Sequence, residues 1–153
     1  MTTIVNTIKI VGPAEAIFDL VTTAGFWPEW HPACFAVGGV TRRPYRLGEN
    51  VWEKGRLAQS EFLLTWKVVE HEPPMRTVLD SPAPRARITY DFRSCDDGVE
   101  FSRSVEYDAA DLHAVAADPR ALREFMQQQS AEALERLKAL VEGILRDEGT
   151  GPA

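Results

Sequence analysis

The order in which hydrophobic periodicities follow one another constrains the fold of this chain most strongly. A short β-branched segment comes first and a proline-initiated helical segment follows it. A series of alternating segments then precedes one uninterrupted helical segment, residues 118–147. At ~1.5 Å per residue that helix would be roughly 40 Å long, more than a simple cap needs. Strands with one apolar face followed by a long amphipathic helix predict a strongly curved sheet wrapped around the helix, with space between them.

The strand segments are defined by alternating apolar and polar residues, and they are residues 3–11, 34–41, 50–58, 60–71, 75–81, 85–94 and 99–108. Gly38-Gly39 weakens the second segment, so we predict six or seven strands. Pro73-Pro74 ends the strongest segment because proline cannot donate to a sheet ladder. Asp97-Gly98 marks a hairpin turn between the last two segments. Because short links join neighbouring strands, the sequence predicts an antiparallel sheet in an α+β fold.

Two short helices are predicted after the first strand. Pro13 suits the first helical position because it has no N–H to leave unpaired. A second, aromatic helical turn over residues 26–32 is bounded by prolines. Asp118-Pro119 starts the long helix with an acidic N-cap. The predicted inner stripe of that helix is Leu122, Phe125, Met126, Gln129, Ala133, Leu137, Leu140, Val141 and Ile144.

The composition is typical of a soluble globular protein. The 153 residues are 44% hydrophobic and 26% charged, so we expect one domain, residues 1–148, and a flexible tail, residues 149–153. A net charge of −6 disfavours nucleic acid and anionic membranes as partners. No apolar run approaches the ~20 residues of a membrane span. The start lacks signal-peptide features and only two cysteines occur, so we expect a cytoplasmic protein without disulfides. We expect either a monomer or a homodimer.

Four segments and the long helix resemble a known superfamily. The segments are residues 13–22, 27–32 (Trp-Pro-Glu-Trp-His-Pro), 64–74 and 97–107. Their order is similar to that of the START-related, birch-pollen-allergen-like helix-grip fold (SRPBCC superfamily), and within it of the polyketide cyclase/dehydrase-type proteins. The resemblance implies a sheet that grips the last helix around a hydrophobic cavity. It also implies binding of lipids, sterols, hormones or polyketides. Since some members are aromatase/cyclases, the fold alone does not define a reaction.

Polar residues on apolar strand faces are the candidate catalytic residues, because a buried charge costs several kcal/mol unless it is paired or hydrated. Arg103 lies at the centre of an apolar strand face, where it would bind a ligand carboxylate, phenolate or enolate. The alternatives are that the opposite face of this strand is the buried one, or that Arg103 pairs with Glu53 or Asp91. Glu53 is a candidate general acid or base, or else a solvated or paired carboxylate. Tyr90 would orient a ligand, or form a hydrogen bond within the core.

The cavity wall is predicted from the same apolar faces and comprises Trp27, Trp30, His31, Phe35, Phe62, Leu64, Trp66, Ile88, Phe101, Phe125, Met126 and Gln129. The cluster of Trp27, Trp30 and His31 has two interpretations. In one it is a cavity wall in which His31 shuttles a proton; in the other it is a packed aromatic turn that covers the end of the barrel. No set of His, Cys, Asp and Glu has metal-ligand spacing, and no glycine-rich phosphate loop occurs. We therefore expect neither a metal nor a cofactor.

Three functions remain open from the sequence. The first is binding of a small, largely hydrophobic ligand such as a lipid, polyketide or aromatic metabolite, and few convergent polar groups favour it. The second is a cyclase, dehydratase or aromatase in which Arg103 stabilises an enolate while Tyr90 or Glu53 transfers protons. It predicts two or more ionisable groups within reach of one point in the cavity. The third is a partner-interaction module, which predicts a filled cavity and an outer apolar patch.

Overall fold

One seven-stranded antiparallel sheet dominates the computed structural model, which describes residues 1–57, 59–112 and 117–149. The strands are β1 (Thr2–Val11), β2 (Cys34–Gly39), β3 (Asn50–Leu57), β4 (Ser60–Glu72), β5 (Arg76–Pro82), β6 (Arg85–Cys95) and β7 (Gly98–Tyr107). Their order in the sheet is β1-β7-β6-β5-β4-β3-β2. The consecutive strands β1 and β2 therefore lie at opposite edges, and the chain between them must cross from one edge to the other.

The helices of the described residues are α1 (Ala14–Val21), α2 (Trp27–Trp30) and α3 (Pro119–Gly149), and a 3₁₀ turn (Ala24–Phe26) precedes α2. α1 and α2 form the crossing from β1 to β2, and α3 packs against β1 and α2. Asp118 caps α3 as predicted, since its carboxylate accepts a hydrogen bond from the Arg120 N–H at 3.0 Å. The predicted curved sheet with two short helices after the first strand and one long C-terminal helix is confirmed. His113 and residues 150–153 of the predicted tail lie outside the described residues.

The alternation in the sequence identifies the buried face of β6 and β7 correctly. The buried side chains of β6 are Ala86, Ile88, Tyr90 and Phe92, and those of β7 are Val99, Phe101, Arg103, Val105 and Tyr107. Tyr90 pairs with Arg103 across the two strands, two residues from the pair of Ile88 and Val105. Because side chains alternate along a strand, these four share the concave face of the sheet.

The C-terminal half of α3 is attached to the free edge of β1. The Lys138 ammonium donates to the Lys9 carbonyl oxygen at 2.7 Å, and the Val11 N–H donates to the Glu142 carboxylate at 2.8 Å. Lys138 and Glu142 also form an ion pair one helical turn apart. These bonds fix the helix along β1, while its N-terminal half lies over the concave face.

The buried surface of α3 is broader than the predicted stripe. Ser130 and Leu134 are buried although neither belongs to that stripe, whereas Leu140 and Ile144 are only half-buried. The reason is that the curved sheet and α2 contact the helix from more than one direction. A stripe derived from one docking surface therefore underestimates what the helix buries.

Phe35 does not face the cavity as predicted. A β-bulge between Cys34 and Ala36 shifts the register of β2 against β3, which turns Phe35 to the outer face. The ring is 48% exposed, and the Arg56 guanidinium lies 5.5 Å from its centre. Val37 pairs with inward-facing Glu53, so strict alternation back from Val37 would place Phe35 on the inner face as well. The extra residue between Cys34 and Ala36 breaks that alternation.

Candidate functional site

A cavity lies between the concave face of the sheet, the end of α2 and the N-terminal half of α3. Its main space has an empty volume of about 540 Å³, mouth included, and two smaller spaces have about 290 and 220 Å³. His31 and Arg103 line all three, so these two side chains stand where the spaces meet. The wall of the main space is mostly apolar and includes Phe62, Leu64, Trp66, Ile88, Val105 and Met126.

Gly55 makes room for one part of this wall. It pairs with Phe62 across β3 and β4. A Cβ atom at position 55 would lie 2.2 Å from the Phe62 ring and 2.5 Å from the Ala33 carbonyl oxygen. The missing side chain therefore lets the Phe62 ring lie over the backbone of β3 at the cavity wall.

Arg103 projects from β7 into the cavity and is only 5% exposed. Its Nη1 donates to Ser130 Oγ on α3 at 2.8 Å, and its Nη2 lies 3.0 Å from His31 Nε2. Its Nε is buried and has no hydrogen-bond partner in the part of the chain that the structure describes. Among the described residues no carboxylate forms an ion pair with this guanidinium; Asp91, the outer-face alternative, pairs with Arg76 instead.

His31 is positioned by the end of α2. Its N–H donates to the Trp27 carbonyl oxygen at 2.8 Å, and its own backbone is extended because Pro32 follows. The ring nitrogen Nδ1 accepts a hydrogen bond from the Ala33 N–H at 3.1 Å, and Nε2 points towards Arg103. Burial holds the pKa of His31 well below its usual range, and the Arg103 charge lowers it further. The ring is therefore neutral at pH 7.

Glu53 is a buried carboxyl group in the same cavity. Its Oε1 accepts a hydrogen bond from Trp66 Nε1 at 2.8 Å, and the residue lines the main space and the smallest one. Burial raises the pKa of Glu53, while hydrogen bonds from Trp66 and Cys34 and the Arg103 charge oppose that rise. Burial also raises the pKa of the adjacent Cys34 thiol, which makes it a poor nucleophile.

Tyr90 lines the smallest space together with Trp27 and Trp30. Burial raises its pKa to about 12, and the charge of Arg103 opposes that rise. Its hydroxyl is therefore neutral at pH 7. The ring contacts Phe101 and Trp30, with centroid distances of 5.5 and 6.4 Å.

The remaining predicted site residues fall into two groups. Trp27, Trp30, Phe62, Leu64, Trp66, Ile88, Met126 and Gln129 line one or more of the three spaces. Phe101 and Phe125 do not: Phe101 packs behind the wall against Phe92, with ring centroids 5.0 Å apart, and Phe125 is partly buried against the core. They share the apolar character of the wall residues, and only the tertiary packing distinguishes wall from interior.

Sequence reasoning missed Ser130, which holds Arg103 and lines a side space. It is a polar residue one helical turn after Met126, on the buried side of an amphipathic helix. The argument that identified Arg103, a polar residue on an apolar face, applies equally to Ser130 and would have found it. The smaller wall residues Ala33, Leu57 and Ala86 give no comparable signal.

These features define a helix-grip protein with a mostly apolar internal cavity. A family comparison assigns the chain more narrowly: residues 1–142 match the model of the family described as polyketide cyclase/dehydrase and lipid transport, and the chain belongs to that family. A comparison with curated proteins found no match.

Solved structures share the fold at low sequence identity. Protein CV1439 from Chromobacterium violaceum is 18% identical with a TM-score of 0.69; the match covers 93% of this chain and 99% of that one. The Aha1 dimer from Colwellia psychrerythraea is 15% identical with a TM-score of 0.66, and the match covers 93% of this chain and 97% of that one. The di-domain ARO/CYC protein BexL from the BE-7585A biosynthetic pathway is 19% identical with a TM-score of 0.65. That match covers 93% of this chain but 49% of BexL. At these identities the likeness concerns the fold alone.

The described ranges contain no helix that is both long and apolar enough to cross a membrane. In the same ranges no three His, Cys, Asp or Glu side chains are grouped so that they could hold a metal ion.

Proposed function

We propose that this protein binds one small, mostly apolar molecule in the cavity between the sheet and α3. The observation that supports this most directly is the meeting of three spaces at two polar side chains, Arg103 and His31, inside a wall that is otherwise largely apolar. Small-molecule sites typically combine such a wall with a few convergent polar groups. The family description, which includes lipid transport, is consistent with the proposal.

The cavity also weighs against the partner-interaction alternative, which predicted a filled interior. The three spaces beside His31 and Arg103 leave part of the interior unfilled. If a ligand buries ~250 Å² of apolar surface there, the gain at ~25 cal/mol per Å² is about 6 kcal/mol before the cost of association. Micromolar affinity corresponds to about 8 kcal/mol. Apolar contact alone therefore falls short, and the polar side chains must contribute to tight binding.

The test is titration with the neutral apolar dye N-phenyl-1-naphthylamine, together with native mass spectrometry of the purified protein. We expect saturable dye fluorescence at one site per chain and displacement of any co-purified small molecule. Met126→Trp should abolish dye binding because Met126 lines the main space and one side space. Met75→Trp is the matched control, since Met75 is 59% exposed. Dye binding that Met126→Trp leaves unchanged would contradict the proposed site.

Catalysis is the second candidate function, and one specific observation favours it. His31, Glu53 and Arg103 line both the main space and the smallest one, so several ionisable groups border the same cavity. A carboxyl group with a raised pKa is suited to proton transfer near neutral pH. In this mechanism the Glu53 carboxylate takes a proton from the carbon between two carbonyls of a polyketone, and Arg103 stabilises the enolate that forms.

Deuterium exchange at the α-carbon of a β-keto thioester, acetoacetyl-N-acetylcysteamine, measures that proton transfer by NMR. We expect exchange above the buffer rate in the wild type and loss of the excess in Glu53→Gln. Glu61→Gln is the control, because Glu61 lies exposed on the outer face of β4 and pairs with Arg56. Exchange at the buffer rate in the wild type would eliminate this candidate and leave the binding function standing.

A further inference from the structure

We infer that the cavity recognises its ligand through a carboxylate that accepts hydrogen bonds from the Arg103 guanidinium and from the Nε2–H of a neutral His31. The ligand class is then an apolar organic acid. This inference rests on the proposed binding function and names the polar group that the site requires. Three independent features of the ligand-free site support it: the hydrogen bonding of the His31 ring, the uncompensated charge of Arg103, and a third donor without an acceptor.

The His31 ring lies between two N–H donors. The Ala33 backbone amide can only donate, and it lies 3.1 Å from Nδ1, so Nδ1 is the nitrogen with the free lone pair. A neutral imidazole then carries its proton on Nε2, which lies 3.0 Å from Arg103 Nη2, a second donor. In the other tautomer the proton is on Nδ1, and Nδ1–H would then face the Ala33 N–H, so that two donors again oppose each other. In either tautomer one N–H of this cluster lacks an acceptor among the described residues.

The charge of Arg103 is also uncompensated. The guanidinium is buried, and among the described residues its Nε has no partner and its hydrogen-bond acceptors are neutral hydroxyls, Ser130 Oγ at 2.8 Å and Tyr90. Glu53 borders the same spaces, but one of its oxygens accepts from Trp66, and it forms no ion pair with Arg103 among the described residues. Breaking a buried ion pair normally destabilises a protein because one charge is left alone. In the ligand-free protein Arg103 is likewise a buried charge with no ion-pair partner among the described residues.

Trp30 supplies the third donor. Its indole Nε1 is buried and has no hydrogen-bond partner within residues 1–57, 59–112 and 117–149, and the residue lines the smallest space with His31 and Arg103. Indole can only donate. The smallest space is thus bordered by two residues with buried, unpartnered donors, Trp30 Nε1 and Arg103 Nε, whereas the unpartnered acceptor Gln129 Oε1 belongs to the other side space. An ionised carboxylate, which only accepts, is the group complementary to these donors. Arginine binds carboxylates with two parallel hydrogen bonds, which gives it geometric selectivity over a hydroxyl or an ester.

The experiment is displacement of N-phenyl-1-naphthylamine at pH 7.5 by matched pairs: trans-cinnamic acid with cinnamyl alcohol, and decanoic acid with decanol. We expect each acid to bind at least about tenfold more tightly than its alcohol. Arg103→Met should reduce that ratio to about twofold or less while the dye still binds. Arg56→Met, on the outer face beside Phe35, removes the same charge and should leave the ratio unchanged.

Two variants at position 31 separate the ring's hydrogen bond from its shape. His31→Phe should lower the acid preference, and His31→Gln should restore part of it because an amide N–H can replace Nε2–H. If Arg103→Met does not fold, Arg103→Lys, which keeps the charge but loses the paired donors, should give an intermediate ratio.

The outcomes distinguish this inference from the proposed function. Alcohols that bind as tightly as the acids, or acids that do not displace the dye, would overturn the carboxylate site and leave apolar binding intact. Failure of the dye to bind the wild type, with no displacement to measure, would contradict the proposed function and this inference together.

Discussion

Replacement of Arg103 by methionine should stabilise the ligand-free protein. The guanidinium is 5% exposed and makes no ion pair among the described residues, so most of its desolvation cost is not recovered. The substitution removes the hydrogen bond to Ser130, which contributes about 1 kcal/mol, and it also removes the opposed N–H groups of Arg103 and His31. Methionine keeps the apolar stem in the cavity wall. Replacement of buried ionic groups by apolar ones has stabilised proteins by ~1–4 kcal/mol, so after this loss we expect a net gain of up to about 3 kcal/mol in the free energy of unfolding.

Urea unfolding followed by tryptophan fluorescence at pH 7.5 measures this change. The midpoint should rise while the m-value stays constant, because the surface exposed on unfolding is nearly unchanged. For a chain of this size the melting temperature should rise by about 2–4 °C per kcal/mol. Arg76→Met is the matched control: Arg76 is 39% exposed and pairs with Glu70 and Asp91, so its loss should cost at most about 1 kcal/mol. A loss above 1 kcal/mol for Arg103→Met at constant m-value would refute the reasoning, because the charge would then be well compensated in the folded protein.

Three further outcomes are expected. Leu134→Ala should lower the free energy of unfolding by about 2–5 kcal/mol, since the side chain is 2% exposed. Leu140→Ala should lower it clearly less in the same urea assay, because Leu140 is only half-buried. Equal decreases for the two variants would contradict the wide buried surface of α3. Because the pKa of His31 in the folded protein lies below 6.5, the unfolded chain takes up a proton that the folded protein does not. The contribution of His31 is therefore fully present above pH 6.5 and declines as the pH falls, by at most ~1.4 kcal/mol per unit; urea unfolding of His31→Phe between pH 7.5 and 5.5 should show a smaller decline, and an identical one would exclude this origin. Cys95, which is exposed, should react rapidly with Ellman's reagent, whereas buried Cys34 with its raised pKa should react only on unfolding; rapid reaction of two thiols in the native protein would contradict the burial of Cys34.

The fold was predictable because its elements are marked locally. Alternation on β6 and β7 identifies the inward faces, Asp97-Gly98 marks the hairpin between them, and Asp118 marks the start of α3. The same alternation placed Arg103 in the interior, since a charge at the centre of an apolar face stands out against its neighbours. These signals depend on residues a few positions apart, and the chain shows them without knowledge of the tertiary structure.

The arrangement of the site was less predictable because its partners are distant in sequence. His31 and Arg103 are 72 residues apart, and Ser130 lies a further 27 residues along the chain. No local pattern indicates that they meet. The position of Phe35 depends on a single inserted residue in β2, and such a bulge leaves the hydrophobic pattern almost unchanged. Tertiary contacts therefore decide which of the candidate residues act together.

The attachment of α3 to β1 has a consequence for how the sheet behaves without the helix. An edge strand presents unpaired N–H and C=O groups that can recruit a strand from another molecule. Here Lys138 donates a hydrogen bond to the Lys9 carbonyl oxygen, and Glu142 accepts one from the Val11 N–H. The element that walls the cavity thus also blocks intermolecular strand addition along this edge. Detachment of the helix would expose the apolar concave face and the unpaired edge of β1 together. A chain cut before α3 should therefore aggregate rather than remain a monomeric, uncovered sheet.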